Sequence, residues 1–151
     1  MSAYPRKLAE MAELFDLFED RNARIEALIG IADRFQPVPD RIAIRPFSEE
    51  HRVRECETQA YVWAEDLPDN TLKFHFAVEN PQGISAMAMS VILDETLSGA
   101  PLEEVIEVPS DVPYRFFGRE LSMGKTMGLI GIVGMVKRFA RERLAKRGGA
   151  S

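Results

Sequence analysis

The apolar residues of this 151-residue chain switch period in its middle third, and that switch limits the folds open to it. Over residues 59–65 aromatic and small aliphatic residues alternate, and Leu72, Phe74, Phe76 and Val78 then alternate with Lys73, His75 and Glu79. Period two puts successive side chains on opposite faces of a strand. Pro68-Asp69-Asn70 supplies turn chemistry between the two runs, which predicts a hairpin. On either side the apolar residues recur at three and four, the spacing of helices. Helices packed on a small antiparallel sheet make an α+β fold. Because an isolated hairpin is marginal in water, a third strand is expected around residues 52–55, leaving Cys56 in a turn between strands.

The helical pattern opens with Pro5, suited to a first turn, and continues through Leu8, Met11, Ala12, Phe15 and Phe18 to about residue 19. Asp20 or Asn22 can cap a second helix, whose apolar face reads Ile25, Leu28, Ile29, Ala32 and Phe35 before Pro37 ends it. Pro37, Pro39 and Pro46 make residues 36–50 an irregular connection lying over the body of the domain. After Asn80-Pro81 a third helix presents Ile84, Met87, Ala88, Val91 and Ile92 on one face and stops at Gly99. A short helix follows from Pro101 through Leu102, Val105 and Ile106. Ser122 can cap a closing helix that runs to Lys146. In it Gly124, Gly128 and Gly131 form a small-residue stripe that lets another element approach closely. The pattern predicts one domain over residues 1–146 and a flexible tail over 147–151, without repeats.

A hydrophobic content of 46% in a chain of this length is enough for one core. Nineteen Lys and Arg against 24 Asp and Glu give a net charge of -5, with no general basic field, so nucleic acid is not an expected partner. No apolar run reaches the length of a signal peptide or a membrane span, which predicts a cytoplasmic protein with no membrane partner. The single cysteine, Cys56, cannot close an internal disulfide; it is there for packing or for function.

Other candidate sites are thinner. Gly124-Lys125-Thr126 has the end of a phosphate-binding loop, but five residues separate Gly118 from Gly124 where the motif requires four. His51 and His75 with one cysteine fall short of a structural zinc set, so no metal site is expected. His75 falls on the polar strand face and reads as solvated, while His51, five residues from Cys56, could assist it or have no role. Lys137, Arg138, Arg141, Arg143, Lys146 and Arg147 complement the negative end of the closing helix, as a solvated end or a docking patch. Around Cys56, Glu55 and Glu57 favour the thiol whereas Arg52 and Arg54 favour the thiolate.

Val53-Arg54-Glu55-Cys56-Glu57-Thr58-Gln59-Ala60-Tyr61 resembles the Val-x-Gly-Cys-x-Ser-x-Val-Trp signature of the SufE family. Leu121-Ser122-Met123-Gly124-Lys125-Thr126-Met127-Gly128-Leu129 is similar to that family's Leu-Ser/Thr-Pro-Ser-Arg-x-x-Gly-Leu segment, and Gly99-Ala100-Pro101-Leu102-Glu103-Glu104-Val105 to the short-helix entry between them. Glu55 stands where the family has glycine, Tyr61 for its tryptophan, Met123 for its proline and Lys125 for its arginine. The resemblance implies an α+β fold shared with iron–sulfur scaffold proteins, and a sulfur acceptor that needs no cofactor of its own. Its implied partners are a pyridoxal-phosphate cysteine desulfurase, whose persulfide Cys56 would receive, and an iron–sulfur scaffold that takes the sulfur onward. Cys56 is the implied carrier, with Glu55, Thr58, Gln59 and Lys125 supporting partner contact. Two rival readings remain at this point. One is a binding module in which Cys56 is incidental; the other is a cysteine hydrolase with His51 or His75 as base and Asn80 or Asp69 as orienter.

Overall fold

In a computed structural model, residues 4–56, 59–119 and 121–149 are described. Six α-helices surround one two-stranded antiparallel sheet among them, an α+β arrangement. Helix α1, Arg6–Asp16, buries Leu8, Ala12 and Phe15 and ends in a tight turn in which the Phe18 N–H donates to the Phe15 carbonyl. That turn stops the helix short of residue 19, yet Phe18 still packs edge-on against Phe15. Helix α2, Arg21–Ala32, starts at Asp20, whose carboxylate accepts the Asn22 N–H at 2.9 Å.

Strand β1, Ala60–Asp66, pairs with β2, Leu72–Val78, in the register Val62 to Phe76 and Ala64 to Phe74. These residues form the inner face and join the main core. The turn is closed by Asp69, which accepts the Thr71 N–H, and by Asn70 in the left-handed region that asparagine tolerates. The expected third strand is reduced to a single bridge from Arg52 to Tyr61 and one hydrogen bond, Val53 N–H to the Ala60 carbonyl. The chain turns at Arg54 and Glu55, where the Cys56 N–H returns to the Val53 carbonyl, so pairing cannot continue.

The proline-rich connection after α2 crosses the outer face of the sheet. Val38 donates to the Phe76 carbonyl, Phe47 packs on Tyr61 and Trp63, and Arg41 and Arg45 pair with Glu65 and Glu79. This cover corrects the reading of His75 as solvated: it is buried, with Nε2 2.9 Å from a Glu65 carboxylate oxygen. His51, in a 3-10 turn at Glu49–His51, has a structural place too: its Nδ1 meets the Val62 carbonyl at 3.0 Å and its ring stacks on Trp63.

Helix α3, Ile84–Leu97, is central and buried on nearly all sides. Ser90 and Thr96 on it donate to the carbonyls four residues earlier, which satisfies buried hydroxyls without outside partners. Gly99 follows at φ 80°, a conformation that glycine adopts without strain. Helix α4, Leu102–Val105, is the expected short helix. Helix α5, Val112–Phe117, has no counterpart in the sequence reading and drives Phe116 and Phe117 into the core, Phe116 against Phe15. Helix α6, Met123–Gly149, runs about 40 Å at 1.5 Å per residue. It continues past Lys146, and two of its terminal cations hold the hairpin: Arg143 pairs with Asp66, and Arg147 donates to the Asn70 carbonyl. No helix among the described residues is long and apolar enough to cross a membrane.

Candidate functional site

The turn after Val53 delivers Cys56 against the first half of α6, and the glycine stripe is what lets it arrive. A Cβ on Gly128 would lie 3.1 Å from both the Cα and the Sγ of Cys56. A Cβ on Gly131 would lie 2.7 Å from a Val53 methyl and from a Glu55 carboxylate oxygen. Such separations are below ordinary van der Waals contact. Two glycines one helical turn apart therefore provide the seat for the cysteine-bearing turn.

Cys56 is 7% exposed and counts among the core residues. It also forms one wall of a cleft of about 400 Å³. The cleft is also lined by the entry to α3, with Asn80, Gln82, Gly83, Ser85 and Ala86, and by the start of α6, with Gly124, Lys125 and Leu129. Asn80 shapes the entry: its side chain accepts the Gln82 N–H and its carbonyl accepts the Gly83 N–H, both at 2.9 Å. Helix α3 begins at Gly83 without a side-chain cap, whereas Ser122 accepts the Lys125 N–H at the start of α6. The first turns of both helices, whose ends carry partial positive charge, thus line one depression together with Cys56 and Lys125.

Of the residues singled out from the sequence, Cys56 and Lys125 share this cleft. Glu55 does not. It lies over Gly131 and lines a separate cleft of about 540 Å³ with Arg52, Arg54 and Arg138. Gln59 is exposed, and its carbonyl accepts the Glu79 N–H at 2.8 Å. Thr58 lies outside the described residues. Asn80, a candidate orienter in the hydrolase reading, does line the cleft, whereas Gln82 and Ser85 carry no sequence signal that would place them beside Cys56, because nothing local links the start of one helix to a distant turn. The hydrolase reading loses its base. His51 and His75 are both engaged at the outer face of the sheet, and neither lines the cleft. Among the described residues no group of three His, Cys, Asp or Glu side chains could hold a metal ion.

A family model described as SufE, Fe-S metabolism associated domain, matches residues 9–140. A solution structure of a hypothetical protein from Thermus thermophilus is similar over 94% of this chain and 98% of that one, with a TM-score of 0.71 and 26% identity. No curated protein sequence matches significantly. The matched span takes in the cysteine turn, its glycine seat and both walls of the cleft, and the chain belongs to the SufE family, whose domain is associated with Fe–S metabolism.

Proposed function

We propose that the protein is a sulfur carrier. Cys56 receives persulfide sulfur from a partner cysteine desulfurase, thereby stimulates its turnover, and passes the sulfur to an iron–sulfur scaffold. The observation that carries this reading is a single cysteine opening into a cleft beside Lys125 in a chain of the SufE family. In the transfer the Cys56 thiolate attacks the terminal sulfur of the donor's R–S–SH. The donor S–S bond breaks, R–S⁻ leaves, and Cys56–S–SH remains, with no net oxidation or reduction. Negative charge carried by sulfur in either state is favoured by the two helix N-termini and the Lys125 ammonium around the cleft. An acceptor thiolate later repeats the attack in the outward direction. The polypeptide is a carrier and activator and not a stand-alone enzyme on this reading.

The test is intact-mass analysis after mixing with a cysteine desulfurase and free cysteine. The mass should rise by that of a sulfur atom, and the increment should vanish in Cys56→Ala. An unchanged wild-type mass with a competent desulfurase present would reject the carrier role.

A further inference from the structure

The seat formed by Gly128 and Gly131 divides helix α6 into two flanks. At 3.6 residues per turn, Lys125 and Leu129 fall on one side of that seat, with the Cys56 cleft, and Met127, Ile130 and Gly134 fall on the other. Arg54 and Glu55 line this second side too, in the cleft of about 540 Å³. No residue lines both clefts, so the cysteine turn seated on the glycines has one on each side. Met127 is 45% exposed, and Met123, one turn earlier on the same flank, is 74% exposed. Thioether side chains adapt readily to the shape of a partner. Most charged groups of this cleft are already engaged: Arg52 approaches Glu49 at 3.6 Å, Arg138 approaches Glu142 at 3.8 Å and Glu50 approaches His51 at 3.4 Å. Arg54 and Glu55 are the exceptions. Both are exposed, and among the described residues neither side chain has a hydrogen bond or an ion pair. Because Cys56 is 7% exposed, a protein that brings sulfur to it has to press on the turn that carries these two charges.

We propose that the sulfur donor straddles the cysteine turn. One part of it brings the persulfide into the Cys56 cleft; another lays an apolar side chain on Met127 and Ile130, a carboxylate against Arg54 and a cation against Glu55. This rests on the reading of Cys56 as a sulfur acceptor and adds which residues select the donor. The occupant is a protein, because a small persulfide filling the Cys56 cleft would not reach the free charges and exposed methionines on the far side of the turn.

The experiment titrates a cysteine desulfurase, with free cysteine, against wild type, Met127→Gln, Arg54→Gln and the control Leu17→Gln, a substitution at a 74%-exposed residue beyond the end of α1. Sulfur added to Cys56 is followed by intact mass. Iodoacetamide, small and neutral, needs no docking and reports the reactivity of the thiol in the same four proteins. Glutamine keeps the helix propensity of methionine, and no substitution brings a new charge to the turn. Each flank variant should need about fivefold more desulfurase for half-maximal loading, the scale of an interface contact, and Arg54→Gln should also flatten the salt dependence of loading. Alkylation should match wild type within about twofold, as should both reactions of Leu17→Gln. Flank variants that load like wild type, or whose loading and alkylation fall in proportion, overturn the docking surface while the acceptor role stands. A wild type that is alkylated and yet takes no sulfur from the desulfurase overturns the acceptor role and the docking surface with it.

Discussion

Replacing Gly128 by alanine sets two effects of one methyl group against each other. Alanine in a helix interior is favoured over glycine by about 1 kcal/mol, because glycine gives up more backbone freedom on folding. Against that, the new Cβ would stand 3.1 Å from the Cys56 Cα and Sγ and 3.3 Å from its Cβ. The crowded atoms include backbone, which cannot rotate away, so the cysteine turn has to retreat by a few tenths of an ångström. Overpacking of that kind costs about 1–3 kcal/mol. The net is a loss of about 0–2 kcal/mol, or up to about 8 °C in melting temperature at roughly 2–4 °C per kcal/mol.

Gly134, further along the same helix, provides the control: nothing lies within 4 Å of its ideal Cβ. Gly134→Ala should show the propensity gain alone, a rise of about 2–4 °C. Differential scanning calorimetry of the two variants separates the terms. Because Gly128→Ala pushes Cys56 outward, its thiol should also react faster with iodoacetamide than in wild type or in Gly134→Ala. Equal stabilisation by both alanines, with alkylation rates unchanged, would refute the seating of the cysteine turn on α6.

Cys56→Ala should abolish stimulation of a cysteine desulfurase while the protein stays folded and still binds it, which circular dichroism and a pull-down with the purified desulfurase check together; a variant that still stimulates turnover makes Cys56 incidental. Lys125→Glu should weaken desulfurase binding and flatten its salt dependence, whereas Lys7→Glu, at an exposed position on α1, should do neither in a titration at two ionic strengths. Glu65 is held down from 4.5 to about 2 by hydrogen bonds from Arg41 first and His75 second. A depressed carboxyl stabilises the folded state above its ordinary value and loses that contribution as pH falls toward the folded value. Urea melts should therefore show a shallower loss of stability between pH 4.5 and 2 for Glu65→Gln than for wild type, and identical slopes would detach Glu65 from Arg41 and His75.

Local rules made the hairpin legible: alternation specifies faces residue by residue, and Asp69-Asn70 closes its own turn. Helices α1, α2, α3, α4 and α6 could be read for the same reason, since period and caps are short-range signals. What escaped was decided at long range. His75 alternates as a polar-face residue, but a strap from far upstream in the chain covers that face and pairs Arg41 with the same glutamate. Helix α5 is six residues long, too short to repeat a period. At the site, Cys56 and Lys125 came together through motif resemblance and not through spacing, and the glycine stripe predicted a close approach without saying to what. The isoleucines at 25, 29 and 84 satisfy the helical period and are still 40–45% exposed, because the period fixes which residues share a face and not how much of that face a neighbour covers.

The sequence leaves packing and function as competing accounts of the lone cysteine, and its place in the fold is compatible with both at once. A residue 7% exposed has its side chain surrounded nearly all round, and Gly128 lies directly against it. The same residue borders about 400 Å³ of open cleft. On the carrier reading proposed above, burial would slow attack on a persulfide at Cys56 by solution thiols, because exchange requires an in-line approach to sulfur. Opening toward a cleft rather than toward bulk solvent restricts that approach to a partner shaped to enter it. A carrier needs both properties, a thiol that is reachable by its donor and shielded from everything else. The glycines that crowd Cys56 against α6 hold the balance between them: one added methyl at Gly128 should trade shielding for access, while the same methyl at Gly134 should change neither.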